Sequence, residues 1–401
     1  MEHLEHPWRP VYNADSRLLI LGTFPSPRSR AEGFYFGHPQ NRFWEVLADS
    51  LRVSRLPAGA DKAKKTYFLL ENRVALWDVL HSCDIEGASD ASIRNPVANG
   101  FCPIIEASRI ETVFATGRTA TGLFNRLAAR ETGMRAVYLP STSPANRAQQ
   151  LRPEFAGLWA SIGRVLRGEL VSAAGMKAAD RRAIEEGVPS LTLMERAAQV
   201  CVDELLAVNN GFDLSSVLCA CGAGNNGGDG FAIARLLRQR NVSVEVLFVG
   251  DREKLSAETR QQEVWAREAG VRIVDLADRD VVGRLLPAAT GASQLADRDA
   301  AGRQPPSTVV DALFGIGLAR ELVGEYLRVV RLMNRLRLGG ARVLAVDIPS
   351  GICADSGEVL GDAVRAHLTA TFACNKLGLT LNPGREHAGQ VLVHDIGIRV
   401  D

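Results

Sequence analysis

Residues 215–240 read SSVLCACGAGNNGGDGFAIARLLRQR: an apolar run, a glycine-dense turn and a helix-like run in unbroken succession. This order ties a strand to a helix through a connection with no room for bulky side chains, which points to an α/β architecture. Gly222, Gly224 and Gly227 satisfy the G-x-G-x-x-G spacing that lets a backbone approach a pyrophosphate at a helix N-terminus. An oxidoreductase using such a loop would also place a carboxylate at the end of its second strand, about twenty residues further on. Here the second strand, SVEVLFVG, ends at Gly250, and Asp251 stands nearly thirty residues past Gly222. The ordinary dinucleotide fingerprint therefore fits poorly.

A chain of 401 residues exceeds what one core usually reaches, so two domains are expected. The hydrophobic fraction of 46% and charged fraction of 23% are those of an ordinary globular protein. No apolar span long enough to cross a membrane is present, and the opening MEHLEHPWRP lacks the features of a secretion signal, so a cytoplasmic protein without a membrane partner is expected. The seven cysteines are odd in number, scattered and mostly beside apolar runs, which reads as reduced core residues. Cys219 and Cys221 form a C-x-C, but no second cysteine pair answers them as a zinc site would require. Residues 1–168 hold 21 Lys+Arg against 16 Asp+Glu, a net +5, and the whole-chain net of +1 leaves −4 for the remainder. The excess suits a phosphate-backbone partner for the first part, with solvated arginines as the other reading.

Both parts alternate strand-like and helix-like segments. The first shows RLLILG, RVALWDVL, ETVFATG and AVYLP among the helical NRFWEVLADSL and ATGLFNRLAAR. The second opens with two helical stretches, MKAADRRAIEEG and TLMERAAQVCVDELLAV, and then repeats strand and helix through STVVDALFG and RVLAVDIPSG. The expected fold class is α/β, with two domains that are each a doubly wound, mostly parallel sheet with helices on both faces, a three-layer Rossmann-like form. A boundary near 168–174 divides a domain at 1–168 from one at 172–401. Between Ala288 and Ser307 the sequence turns polar and proline-rich and reads as an exposed loop or insertion.

In the first part, a strand ending at Gly22 is followed by a Pro/Ser/Arg turn, the aromatic cluster Phe34, Tyr35 and Phe36, the block HPQN and a helix starting near Arg42. Aromatics beside an amide at the carboxyl edge of a parallel sheet suit a pocket for a flat heterocycle. The runs GTFPS and FYFGHPQNRFW, with LPSTSPAN at 139–146, resemble the deoxyinosine (hypoxanthine) DNA glycosylases of the uracil-DNA glycosylase superfamily across most of residues 12–167. Mismatch-specific uracil relatives carry a water-positioning asparagine where this chain has Phe24. The resemblance therefore implies the deoxyinosine branch, with Asn41 in the catalytic place and double-stranded DNA carrying hypoxanthine as substrate. The implied DNA- and base-facing set is Phe24, Tyr35, His38, Ser141, Thr142, Ser143 and Asn146. Taken alone, Asn41 reads as a helix N-cap before Arg42, His38 as a contact or a turn residue, and Ser141 to Ser143 as a polar turn closed by Pro144. Uracil or another damaged base is the alternative substrate.

In the second part, GAGNNGGDG (222–230), VDALFGIGLARE (310–321) and VDIPSG (346–351) each follow a strand, and strand ends of a doubly wound sheet converge on one crevice. Asp311, Asp347, Asn225 and Asn226 supply hard oxygen ligands, better suited to a hard cation or a hydroxyl-rich ligand than to zinc. In this order, flanked by MKAADRRAIEEG and REHAGQVLVHDIGI, the blocks resemble the NAD(P)HX epimerase family, the YjeF N-terminal domain, over about residues 172–401. That family interconverts the R and S epimers of hydrated NADH and NADPH, with a potassium ion and no redox cofactor. The resemblance implies NAD(P)HX contacts from Asn225, Asn226, Gly227, Gly228 and Asp229. It also implies a phosphate-lining stretch of Gly315, Ile316, Gly317, Leu318, Ala319, Arg320 and Glu321, a meeting of Asp347 with the hydrated ring, and potassium ligation by Asn226, Asp311 and Ser350. Asp347 is the expected proton donor and acceptor. Lys376 in NKLGL and Arg320 each admit two readings, phosphate contact or exposed surface cation. The kinase-like dehydratase domain often joined to such epimerases is not expected here, so a separate dehydratase becomes the pathway partner; the oligomeric state, a homodimer included, is open. The rival for this half is a non-catalytic nucleotide-binding or interaction module.

Overall fold

Strands buried along their whole length, rather than on alternate residues, are what a parallel sheet covered on both faces requires. Leu18–Gly22, Thr112–Thr116, Val217–Cys221, Thr308–Ala312 and Leu368–Phe372 are of this kind. The structure, a computed structural model, describes residues 1–276 and 305–400. It divides into two compact units, Met1–Ala178 and Ala179–Val400. The polar segment expected as a loop between Ala288 and Ser307 lies, up to residue 304, outside the described residues.

The first unit contains β1 (Glu2–Glu5), β2 (Leu18–Gly22), β3 (Val74–Asp78), β4 (Leu80–Ile85), β5 (Arg94–Ala98), β6 (Thr112–Thr116), β7 (Ala136–Leu139) and the short β8 (Leu170–Val171). Four of them form a parallel sheet in the order β3-β2-β6-β7. The run RVALWDVL, expected as one strand, is two: β3 belongs to the parallel sheet, and after Val79 the chain enters an antiparallel sheet of order β1-β4-β5. The Val79 N–H donates to the Gly22 carbonyl, which holds the junction against the end of β2. One face of the parallel sheet buries Leu19, Leu21, Val113 and Ala115 with Phe101 and Phe124. The sheet order reverses between β2 and β6, so the loops after Gly22 and Thr116 flank its switch point.

The second unit carries β9 (Val217–Cys221), β10 (Val244–Phe248), β11 (Arg272–Asp275), β12 (Thr308–Ala312), β13 (Arg342–Val346), β14 (Leu368–Phe372), the short β15 (Asn375–Lys376) and β16 (Gln390–His394). Seven of these make an all-parallel sheet in the order β11-β10-β9-β12-β13-β14-β16. The reversal falls between β9 and β12, so the carboxyl ends of β9, β12 and β13 are neighbours. Leu218, Val309 and Val343 from these strands pack with Val329, Val330 and Met333 of the helix Gly324–Leu338.

The glycine-dense stretch is not a loop. A helix begins at Asn225 and runs to Gln239, so Gly227, Gly228 and Gly230 lie within its first two turns. Their value is space. A Cβ on Gly227 would sit 1.8 Å from the Gly222 carbonyl oxygen, one on Gly228 2.6 Å from the Met194 methyl, and one on Gly230 2.6 Å from Ala312 and Cys221. The helix thus presses onto the ends of β9 and β12 more closely than any other residue type would allow. Gly227→Ala should lower the stability of this unit by about 1–3 kcal/mol, whereas Gly224→Ala, with open space at its Cβ, should stay within about 0.5 kcal/mol. Denaturant midpoints of the two variants check the contrast, and equal midpoints would contradict it.

Candidate active sites at the two sheet edges

In the second unit, Asp347 is the first residue past β13 and takes a left-handed backbone, φ 65°, unusual for a residue with a Cβ. Its N–H donates to the Ala370 carbonyl (2.8 Å), which fixes the turn. Lys376 reaches it from β15: Nζ lies 2.5 Å from Asp347 Oδ1 and donates to Thr371 Oγ1 and the Phe372 carbonyl, each at 2.8 Å. Thr371 Oγ1 donates to the same Asp347 oxygen at 3.1 Å. Lys376 is only 1% exposed. Neither reading offered by the sequence holds for it: its three donors are taken by protein oxygens, and no exposed ammonium is left for a phosphate.

With Oδ1 committed, Asp347 turns Oδ2 toward Gly315. A Cβ at Gly315 would stand 3.2 Å from that oxygen and 3.1 Å from Asn226 Oδ1, so the three strand-end blocks do meet, and glycine leaves the space between them open. Asn226 Nδ2 is buried and has no protein partner. Asn225 Oδ1 accepts from Ser256 Oγ at 2.8 Å. Asp229, in the second helical turn, keeps partial exposure yet lies deep among protein atoms; desolvation and the charges of Asp347 and Asp180 push its carboxyl well above the usual range. Asp180, from the helix Ala173–Glu185, is pushed up to about 6 by burial and by Asp347, with Lys376 opposing.

Asp311, the fourth residue of β12, is fully buried. Its Oδ2 accepts from the Ser350 N–H (2.7 Å) and its Oδ1 from the Ser350 hydroxyl (2.6 Å). The Phe314 N–H donates to Ser350 Oγ at 3.0 Å. Burial raises the Asp311 carboxyl to about 6 against the lowering effect of these hydrogen bonds. No basic side chain pairs with Asp311 among the described residues. A buried carboxylate short of positive charge, beside the Ser350 hydroxyl, is a hard-oxygen set that suits a hard cation, whereas the orphaned Asn226 Nδ2 is a donor that calls for an acceptor. The expected phosphate-lining stretch forms bends after β12: Gly317, Ala319, Arg320 and Glu321 are exposed, while Leu318 turns into the core. Asp251, the residue a dehydrogenase would need on a ribose, caps a short turn at the Glu253 N–H and pairs with Lys254. All seven cysteines are free thiols.

In the first unit, Asn41 stands one residue before the N-cap of the helix Phe43–Leu51. Its Oδ1 accepts from the Phe43 N–H (3.0 Å) and from the Thr142 hydroxyl (2.7 Å). A backbone N–H can only donate, so the oxygen must face the helix and the NH2 group must face away, carrying two donors. Thr142 is buried, and its role is to hold Asn41 rather than to touch DNA. Tyr35, expected to face a base, is instead 2% exposed and donates its hydroxyl to the Arg9 carbonyl, so it belongs to the packed interior. His38 Nδ1 accepts from the Gln40 N–H, Ser141 Oγ from the Ser143 N–H, and Ser143 Oγ from the Ala145 N–H, all as turn-formers; Asn146 is exposed. Phe24 lies edge-on to His6, with ring centroids 5.9 Å apart. His6 Nε2 in turn meets the buried Asp78 at 3.0 Å, and Thr23 donates to Asp90 at 2.7 Å. These last two links join segments more than sixty residues apart, and no spacing in the sequence announces them.

Raised carboxyls make this geometry testable by pH. A native carboxyl at about 6 binds a proton that the unfolded chain, titrating near 4, has already released. Ionisation of Asp180 therefore costs stability as pH rises through about 4 to 6. Asp180→Asn should gain about 1–2 kcal/mol on the parent between pH 4 and 7 in unfolding experiments on this unit; parallel pH profiles would contradict it.

Comparison with known proteins falls along the same division. A family model described as YjeF-related protein N-terminus matches residues 190–378, and one described as uracil DNA glycosylase superfamily matches residues 9–162. An NAD(P)H-hydrate epimerase of Oenococcus oeni is 42% identical over 212 residues, covering 53% of this chain and 88% of that protein. One from Levilactobacillus brevis is 37% identical over 212 residues, covering 53% and 86%. A solution NMR structure of a candidate uracil DNA glycosylase from Methanosarcina acetivorans is 29% identical, with a TM-score of 0.36, covering 41% of this chain and 98% of that one.

Proposed function

Because the chain belongs to the NAD(P)H-hydrate epimerase family and carries a uracil DNA glycosylase superfamily domain, we propose that it is a fused repair enzyme. Its second unit interconverts the epimers of NADHX and NADPHX. Its first excises hypoxanthine from double-stranded DNA. The observation that carries the epimerase reading is Asp347, with one oxygen held by Lys376 and Thr371 and the other turned into the crevice toward Gly315 and Asn226.

The substrate's hydroxyl sits on a ring carbon next to nitrogen. Protonation lets it leave as water while the nitrogen lone pair forms an iminium, and water returns to the other face, giving up its proton. Two carboxyls in unlike surroundings suit the two proton movements. The raised Asp229 carboxyl is the donor to the leaving oxygen, and Asp347 Oδ2 receives the proton from the returning water. Asn225, Asn226, Gly227 and Gly228 would border the ligand, with residues 315–321 along its phosphates. Potassium fits Asn226, Asp311 and Ser350, where it would supply the positive charge that the buried Asp311 lacks. No redox cofactor enters, since nothing is oxidised. A cytoplasmic setting and a separate dehydratase acting on the product belong to the same reading. Asp347→Asn should lower kcat by at least about 100-fold, followed by chiral separation of NADHX epimers; equilibration within twofold of the parent would remove Asp347 from the chemistry.

In the first unit, the outward NH2 of Asn41 can hold a water through one lone pair, leaving the other for the sugar carbon as the base departs. Phe24 would stack on the everted base, while His38, Ser141, Ser143 and Asn146 would border the strand. Asn41→Ala should abolish base release from a hypoxanthine duplex with the fold retained, whereas Asn41→Asp, which keeps the oxygen but not the donors, should be similarly inactive at neutral pH. Release by either variant at the parent rate would overturn the assignment. Uracil duplexes run in parallel test the choice of base.

A further inference from the structure

The first unit's positive charge is concentrated in one part of the chain: residues 94–152 carry eight arginines against three acidic residues. Three of those arginines line one cavity of about 400 Å³ between the helix Arg118–Leu127 and the β4–β5 region. Arg118 and Arg126 are eight residues apart on that helix, with Gly122 midway between them. All three therefore share one face, and a rise of about 1.5 Å per residue separates the two arginines by about 12 Å along the axis. A Cβ on Gly122 would meet nothing within 4 Å, so the groove is open there. Arg94 faces them from β5.

None of the three is in an ion pair among the described residues. Arg94 donates only from Nη1, to the Ala91 and Ile93 carbonyls, which leaves Nε and Nη2 without protein acceptors among the described residues, and Arg118 lies over the Tyr138 ring at 5.3 Å. The one carboxyl lining the cavity, Asp90, accepts the Thr23 hydroxyl, and its burial raises it above the usual range. Through that bond the groove's inner end is joined to the GTFPS turn that follows β2. Its mouth is equally well placed: Arg118 follows Gly117 at the carboxyl end of β6, beside the switch point, and Ser141 of the LPSTSPAN block lies within 4 Å of where a Gly117 Cβ would be.

We infer that this groove carries the phosphate backbone of the DNA strand, with Arg94, Arg118 and Arg126 as its contacts. The inference rests on the glycosylase reading of the first unit. Arg118 and Arg126 leave the helix about 12 Å apart along its axis, a spacing that suits contacts to separate phosphates, which set the register of the strand without reading its bases. Each phosphate neutralised releases counterion, which makes the contacts countable by salt.

The test is binding of the full chain to an undamaged fluorescent duplex over a series of salt concentrations, alongside excision from a hypoxanthine duplex. Arg94→Gln/Arg118→Gln should flatten the slope of log K against log salt by about 1.8 and weaken binding several-fold at low salt. Arg55→Gln, which removes an exposed arginine already paired with Asp49, should leave the slope unchanged. Parent-like slopes in the double variant, with duplex binding and excision intact in the parent, would overturn the groove alone. Absence of both duplex binding and excision in the parent would overturn the glycosylase reading with it.

Discussion

The contact between Gly227 and the carbonyl of Gly222 sets the height at which a helix meets the ends of two strands, and the crevice of the second unit is built on that height. A helix seated one methyl further out would carry Asn225, Asn226 and Asp229 away from β12. It would also open a gap beneath residues whose side chains have to meet Asp311, Gly315 and Asp347. The inner face of the helix, Phe231, Ala232, Ile233, Ala234 and Leu237, is fully buried, so the helix cannot shift freely to restore the distance. The glycines are therefore a packing requirement before they are a binding motif.

Parallel topology does the remaining work of assembly. Every strand delivers its last residue to the same edge, and reversal of strand order between β9 and β12 leaves a cleft there that no crossover covers. The chemistry placed in that cleft is mostly anionic. Against Asp180, Asp229, Asp311 and Asp347 stands one buried ammonium among the described residues, Lys376; desolvation raises the first three, repulsion from neighbouring carboxylates adds to it at Asp180 and Asp229, and this is the electrostatic cost of the arrangement. A ligand or cation that brings positive charge relieves that cost, which links binding to the stability of the fold.

Much of this was legible in the sequence, for physical reasons. Apolar runs such as TVVDA and RVLAV mark buried strands, and motif blocks at their ends must converge once the sheet is parallel. The helical start at Asn225 was hidden because glycines read as a loop; their backbone is ordinary helix, and only the neighbours at Gly222, Met194 and Ala312 explain them. The strand EHLE and the strand RNPVA carry charge and proline and lack an apolar face, so the antiparallel sheet of the first unit left no pattern to find. Lys376 read as a phosphate contact or a surface cation because burial of a lysine is signalled by its partners, and Asp347 lies 29 residues away. Thr142 reads as part of a polar turn, and its bond to Asn41 across 101 residues is a product of tertiary folding alone.

In the function proposed above, three strand-end blocks form one cation-assisted site for a hydrated nicotinamide dinucleotide. Crystals of the full chain grown with NADPHX and thallium(I) in place of potassium test it most directly. An anomalous peak is expected among Asn226, Asp311 and Ser350, with the hydrated ring against Asp347 Oδ2 and the phosphates along 315–321. A ligand bound with its ring remote from Asp347, or thallium bound elsewhere with the Asp311–Ser350 pair untouched, would contradict it.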